Sequence, residues 1–505
     1  MKTLFLSFFT IFSFSLFGQT YVLDQTFGNN GALQLGEYVR VKDGIVTNNT
    51  AYFLTGTGLL KINSDGTNFN FTIPTAPNIS NFKLINNSIY LYGQIAYNNT
   101  NQGVFIAKMD LNGNPDLNFG INGMKIIDFG QTEILSDIVE TPNGELLCSG
   151  VRYQTIDLES NIIVFKINAL TGDLNFSFDS NGYKTFTSNL TGSGSWNWLR
   201  GGFIFNYDNG YLLAGHNSQN YISYLTLIKI DGNGNADSSY GVNGYKSIPC
   251  SHSASTFEKI TIHNNKIYGN YSYAVGSLGT SSNMICYDLI NEQTLFDFNP
   301  SNYYKYLNSF KIYDNSIYNT YRNPSYNQTD KFYVEKRFTS SGLIDSSFHI
   351  NGLYSYNSPS LSTYNFQDEA NVILKLDNDF LIAGYSKYTY AISPTFPFLE
   401  SNYEGGTLIK ITPGALLGTN NYESNNTTIN LFPNPFENEI NFEFHTQIKS
   451  ISVYDLVGRK IIDPKFNINN NKVTVDLTNI TNKGTYFIKI NTAEDTIITK
   501  KIIKN

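Results

Sequence analysis

Three short patterns of apolar and polar positions recur in one order along the chain, seven times each. The first is an aromatic followed by a Gly/Asn turn, as in Phe27-Gly28-Asn29-Asn30-Gly31, Phe119-Gly120-Ile121-Asn122-Gly123 and Tyr240-Gly241-Val242-Asn243-Gly244. Weaker copies fall at Phe69, Phe178, Phe298 and Phe348. The second is an apolar stretch that usually ends in glycine, as in Tyr52 to Gly56, Ile89 to Gly93, Leu146 to Gly150, Tyr211 to Gly215 and Phe380 to Gly384. The third centres on a basic or similar residue, as in Leu60-Lys61-Ile62, Ala107-Lys108-Met109, Phe165-Lys166-Ile167, Ile228-Lys229-Ile230 and Ile409-Lys410-Ile411. Alternation of period two marks strands, as in 223–230 and 371–384, and helical spacing is hard to find between residues 20 and 415.

The best-kept copies of the first pattern lie about 60 residues apart, slightly longer than the repeats that build four-stranded propeller blades. The expected fold is all-β: a seven-bladed β-propeller over residues 19–417. The phase of the repeat adds a topological expectation. The chain opens on the first pattern and closes on the third, so Ala32 to Leu35 is expected to complete the sheet containing Leu408 to Ile411. Such sharing closes a ring and leaves no bare sheet edge. An open solenoid would want polar caps instead.

Near residue 415 the texture changes. Residues 418–428 read as a polar linker. Residues 429–505 carry short alternating segments behind Pro433 and Pro435 and predict a small Ig-like β-sandwich.

Composition narrows the function classes. The net charge is -7 with no basic run, which argues against nucleic acid and against docking on anionic lipid. Residues 1–18 have the form of a secretory signal peptide: Lys2, an apolar run from Leu4 to Phe17, then Gly18. No stretch reaches the roughly 20 apolar residues a bilayer span requires. Cys148, Cys250 and Cys286 match no zinc spacing. Cys148 and Cys286 read as small core residues, and a disulfide involving Cys250 is left open.

The runs Asp110 to Gly120, Asp231 to Gly241 and Asp24 to Gly31 resemble the delta-60 repeat of bacterial secreted proteins, a D-x-x-F-G-x-x-G segment after an Asp/Gly turn. That resemblance implies a propeller-like fold and no defined reaction. The C-terminal segment resembles the type A sorting domain of the type IX secretion system. The matching pieces are Pro433-Asn434-Pro435, the turn from Tyr454-Asp455 to Gly458, the start Gly484-Thr485-Tyr486 of a strand that includes Lys489, and the basic tail from Lys500. It implies recognition by the secretion machinery, export across the outer membrane, and release or attachment to surface lipopolysaccharide.

Candidate chemistry is sparse. Asp110, Asn112, Asn114 and Asp116, and again Asp231, Asn233, Asn235 and Asp237, place oxygens at alternate positions like the start of a calcium loop. Asp-Gly and Asn-Gly are also hairpin-turn residues, and no bidentate Glu follows, so a turn is the favoured reading. The five histidines show no metal spacing. Trp196 and Trp198 are a candidate ligand platform, with core packing as the blander reading. The expectation is a non-enzymatic protein at the cell surface that binds extracellular polysaccharide or protein. The alternatives are a polysaccharide lyase or glycoside hydrolase on a propeller scaffold, and a structural surface-layer component.

Overall fold

A computed structural model describes residues 20–414 and 429–505, except for segments at 29–30, 38, 57, 65, 73–77, 97–101, 154–159, 191–198, 220–221, 275–279, 299–305, 323–330, 357–366, 392–399, 430, 445–446, 456–458, 470 and 493–496. Contacts divide the chain into Met1–Leu416 and Leu417–Asn505. The described residues form strands and no helix.

The first unit holds seven antiparallel sheets among the described residues, six of four strands and one of five. Their first strands are Asp43–Thr47, Asn78–Ile85, Thr132–Glu140, Arg200–Tyr207, Ala254–His263, Tyr306–Tyr313 and Gln367–Leu376. The seventh sheet is completed by the chain's own start. Ala32–Glu37 pairs with Glu400–Pro413 (Ala32 opposite Ile409, Leu33 opposite Leu408), and Tyr21–Leu23 pairs along the same edge. The phase of the sequence repeat is thus realised as strand pairing between the two ends of the unit.

Local chemistry explains the strand ends. First and second strands are joined by two-residue turns such as Asn48-Asn49, Asn86-Asn87, Asn264-Asn265 and Asp314-Asn315, all with φ between 47° and 59°. Asn and Asp tolerate this left-handed region, and paired left-handed residues match the twist of a hairpin. The glycine ending the second pattern has a different cause. In six of the seven first strands the register shifts by one residue, a β-bulge that presses backbone onto the neighbouring strand. A Cβ on Gly93, Gly150, Gly215 or Gly384 would lie 2.2, 2.2, 2.5 or 1.8 Å from a carbonyl oxygen of that strand.

The cores run between sheets. Tyr52 and Leu54 pack with Phe82 and Leu91, joining the first sheet to the second. Equivalent clusters join each consecutive pair up to the sixth and seventh. A further cluster joins the seventh to the first, with Val372, Leu374 and Leu408 against Ala51, Phe53 and Leu60. An open stack of seven sheets would have six such interfaces; this unit has a seventh, so its packing is cyclic.

The repeated turn residues hold successive sheets together. Gly113 sits on the ring of Phe71, Gly172 on Phe119, Gly234 on Phe178 and Gly342 on Phe298, each ring belonging to the preceding sheet. Phe27 of the seventh sheet meets Gly66 of the first in the same way. Within a sheet, the third-pattern lysine pairs with the aspartate of the turn: Lys108–Asp116 at 2.8 Å, Lys229–Asp237 at 3.1 Å and Lys336–Asp345 at 2.8 Å. Two of the weaker aromatic copies are not turns. Phe69 lies within the strand Asn68–Thr72 and is exposed, and Phe298 ends the strand Gln293–Phe298. In these sheets the fourth strand follows a short turn, and its own side chains take the place of the turn aromatic.

The second unit has one sheet of three strands and one of four, around a core that includes Phe436, Phe442, Val453, Val473 and Ile488. All three cysteines are buried and free, so the disulfide left open for Cys250 does not form. Burial pushes the Cys148, Cys250 and Cys286 thiols up, as expected of small core residues.

Candidate functional site

In an up-and-down sheet, the link from the second to the third strand and the link to the next sheet emerge at the same end. The tight Asn-rich turns occupy the other. At the first end, on the fifth sheet, five polar side chains converge. Ser251 and His252 follow the strand Tyr245–Pro249; Tyr271 comes from Lys266–Ala274, Asn283 from Thr280–Asp288 and Asp297 from Gln293–Phe298.

Asp297 anchors the group. Its Oδ2 accepts the Ser251 backbone N–H at 2.7 Å, and its Oδ1 accepts Tyr271 Oη at 2.7 Å and Asn283 Nδ2 at 3.1 Å. Asn283 Nδ2 also lies 3.0 Å from Ser251 Oγ and 3.2 Å from His252 Nδ1. Tyr271 and Asn283 are fully buried, whereas Ser251 and His252 are exposed. The His252 ring stacks on Tyr273 at 4.2 Å and 19°. Burial, and next the Asp297 charge, hold the Tyr271 phenol protonated well above its usual range, so it remains a donor. Asn283 Oδ1 is buried and has no hydrogen-bond partner among the described residues, an acceptor without its donor.

The residue types invite a serine-hydrolase reading, and the geometry rejects it. Asp297 bonds the Ser251 backbone and Tyr271 rather than His252, so it does not orient the imidazole as a relay requires. The arrangement sets polar groups beside a stacked pair of rings, over buried Tyr271 and Asn283, the mix of groups that a polyol can meet.

Other polar groups are internal. Glu133 Oε1 lies 3.5 Å from Arg152 Nε, and burial pushes the carboxyl up to about 7 against the pull of Arg152. Tyr321 Oη donates to Glu335 at 2.6 Å, and Glu335 also pairs with Arg337, all within the sixth sheet. A pocket of about 940 Å³ between turns of the second and third sheets is lined by Met109, Pro115, Ile121 and Met124 with Lys125 and Asp173. It lies at the end with the tight turns and is shaped by the repeated turn itself.

The alternating-oxygen segments are turns. Asp110 Oδ1 accepts the N–H groups of Asn112 and Asn114 at 2.8 and 2.9 Å, and Oδ2 accepts Asn114 Nδ2 at 2.8 Å. Asp231 treats Asn233 and Asn235 alike. Asn112 and Asn235 present Oδ1 to Lys61 and Lys184 of the preceding sheets, and Asp116 and Asp237 face lysines. Every carboxylate here meets N–H donors, and among the described residues no three His, Cys, Asp or Glu side chains gather as metal ligands. Trp196 and Trp198 lie outside the described residues, as does Gly458. Nothing in the sequence marked the Asn283 group, because its members come from three strands and a link of one sheet.

In the second unit the Pro433-Asn434-Pro435 segment lies along the last strand. Asn434 Oδ1 accepts the Ile503 N–H at 2.8 Å, Asn434 Nδ2 donates to the Lys501 carbonyl at 3.0 Å, and Phe436 N–H donates to Ile503 O at 2.7 Å. Tyr486 Oη donates to the Asn482 carbonyl at 2.9 Å. Gly484 and Lys489 share the strand Gly484–Thr492. Residues 430–505 match the family described as the secretion system C-terminal sorting domain. The chain ends in a type IX sorting domain. It is therefore exported by type IX secretion to the cell surface or the extracellular space. No helix is long and apolar enough to cross a membrane among the described residues.

No curated protein matches the chain. Solved structures resemble its fold distantly. A GH43 endo-arabinanase from Bacillus licheniformis is 14% identical over 51% of this chain and 97% of its own, with a TM-score of 0.31. A protein of unknown function from Dyadobacter fermentans is 8% identical over 76% and 100%, with a TM-score of 0.35. A GH32 β-fructofuranosidase from Bombyx mori is 8% identical over 93% and 89%, with a TM-score of 0.31. Further similar structures are an arabinofuranosidase, an exo-arabinanase and another family-43 hydrolase. These likenesses overturn the expectation of a chain without enzymatic activity. The propeller-like scaffolds it resembles are mostly glycoside hydrolases, so the fold gives no ground for excluding catalysis.

Proposed function

We propose that the chain is a seven-bladed β-propeller of delta-60 repeats over residues 19–417, preceded by a signal peptide at 1–18. A linker at 418–428 joins it to an Ig-like sorting module at 429–505. Seven sheets with seven inter-sheet cores support the blade count. In this reading, type IX export delivers the propeller to the cell surface, free or attached to lipopolysaccharide, where it acts on extracellular polysaccharide.

The observation that supports a carbohydrate target is the group around Asn283: two exposed polar side chains, Ser251 and His252, beside half-buried Asp297 and over buried Tyr271 and Asn283. In this reading sugar hydroxyls exchange hydrogen bonds with Ser251, His252 and Asp297, and the His252 ring offers a flat face. The test uses the full chain on a panel of neutral and acidic polysaccharides, reading both retention on insoluble polymer and release of reducing ends. His252→Ala and Asp297→Asn are expected to weaken retention or turnover about tenfold, the scale of one or two lost hydrogen bonds. Wild-type protein that neither binds nor cleaves any polymer removes the proposal.

A further inference from the structure

The two sheets of the second unit have four edges, and these are unequally guarded. Residues 432–436 lace two of them. Phe432 exchanges backbone bonds of 2.9 and 2.7 Å with Asn441 of the edge strand Glu439–Glu443, and Phe436 N–H donates to Ile503 O at 2.7 Å on the edge strand Ile497–Lys504. The opposite margins of the same sheets are Lys460–Ile462 and Phe466–Asn469, joined by Asp463-Pro464-Lys465. Native sheets blunt an open edge with charge, proline or a bulge. Lys460–Ile462 has such guards: it is three residues long, its pairing is bulged at Val453/Tyr454, and Lys460 pairs with Asp463 at 2.5 Å. Phe466-Asn467-Ile468-Asn469 has none, carrying neither charge nor proline and pairing regularly with Lys472–Asp476.

This unguarded margin is a template in backbone and side chains alike. Lys465 O accepts the Asp476 N–H at 2.9 Å, and Asn467 and Asn469 continue the alternation opposite Thr474 and Lys472. In an antiparallel ladder the intervening residues turn their polar groups away from the partner. Phe466 and Ile468 therefore direct N–H and C=O to the side where, among the described residues, no strand lies. Their side chains stand opposite fully buried Val475 and Val473, on the core face. Phe466 packs on the core, yet Ile468 is 46% exposed, so the apolar layer reaches this margin without being covered. On the outer face the same strand borders a hollow of about 420 Å³ lined by Glu439, Lys465, Asn467 and Asp476.

We propose that the type IX machinery recognises this module by adding an extended segment of its own to the edge Phe466–Asn469. The backbone of that segment pairs with the N–H and C=O groups of Phe466 and Ile468. Alternate side chains point to opposite faces, so one row covers Ile468 with an apolar group and the other meets the hollow beside Asn467. A sorting domain must be read by the secretion machinery, and among the described residues this is the edge of the four that offers unguarded main chain.

The full chain is followed in a host that carries the machinery, by its amount in the medium against that in the periplasm. Ile468→Pro removes an outward N–H that the module does not use, and Ile468→Lys sets a charge on the margin. Both are expected to lower export about tenfold with Tm unchanged, the scale of a lost hydrogen bond or a charge forced into an interface. Ile468→Val keeps the apolar group and is expected to export at the wild-type level. Amide hydrogen exchange in the wild-type chain needs no variant. The Phe466 and Ile468 amides are expected to exchange fast in the free chain and to be protected when solubilised outer membranes bearing the machinery are added, but not by membranes lacking it. Wild-type export of folded Ile468→Lys, or amides that stay fast beside the machinery, overturns the proposal. Protection that appears in the free chain as its concentration rises assigns the edge to a second copy and overturns it as well. Export lost on truncation before Leu431 but kept in both Ile468 variants would reject this edge alone and leave the sorting role standing.

Discussion

Lys410 Nζ lies 3.0 Å from Asp24 Oδ2, the same contact that Lys108 makes with Asp116 inside the second sheet. Here the two partners come from opposite ends of the first unit, so the repeat's internal ion pair becomes its clasp. Hydrogen bonding from Thr26, joined by Lys410, lowers the Asp24 carboxyl below its usual range. A lowered carboxylate contributes stability above its unfolded value and loses it as the pH falls through the folded one. Asp24→Asn is expected to cost about 1 kcal/mol at neutral pH and less in acid, measured by urea unfolding across pH. An equal loss at both pH values would refute the clasp.

Gly150 and Gly56 end the same sequence pattern but differ in surroundings. A Cβ on Gly150 would meet the Ile134 carbonyl oxygen at 2.2 Å, whereas Gly56 has nothing within 4 Å. Gly150→Ala is expected to destabilise by about 2–4 kcal/mol and Gly56→Ala by less than about 0.5 kcal/mol. Thermal melts of the two variants decide whether the bulge or mere strand propensity explains the conserved spacing of these glycines within the chain.

Phe119 and Phe69 occupy equivalent sequence positions, yet Phe119 is fully buried and Phe69 is 54% exposed. Phe119→Ala is expected to cost about 3–5 kcal/mol, and Phe69→Ala to stay within about 0.5 kcal/mol. Comparable losses for both would mean that the strand placement of Phe69 is wrong.

Glu133 titrates with the fold. Its folded pKa of about 7 lies above the ordinary 4.5, mainly through burial. The folded state therefore holds its proton more tightly. The stability from this group is full below the unfolded value and declines as the pH rises to about 7. Glu133→Gln is expected to flatten the fall of Tm between pH 5 and 7. An unchanged slope would assign the pH dependence to other groups.

Export depends on the second unit. A chain truncated before Leu431 is expected to remain cell-associated, and its appearance in the medium at wild-type level would contradict the sorting role. Asn434→Ala removes the bonds to Ile503 and Lys501 and is expected to destabilise the module by about 1–2 kcal/mol.

What the chain could reveal linearly was whatever its backbone decides locally. Alternating apolar residues make strands, and the Asn-Asn and Asp-Asn pairs sit where a hairpin needs two left-handed residues. The phase of the repeat even indicated that Ala32 to Leu35 must pair with the last sheet, because an unfilled strand position had to be met by an unpaired strand. The sorting module was legible for the same reason: its motif residues are ordered along one short segment. The partners across sheets were not. That Phe119 lies over Gly172, that Asp43 crosses the axis to Lys259, and that Asn283, Tyr271 and Asp297 meet below His252 depend on rotations between sheets accumulated around a closed ring. Sequence spacing encodes no such angle, so only the tertiary structure could bring these side chains together.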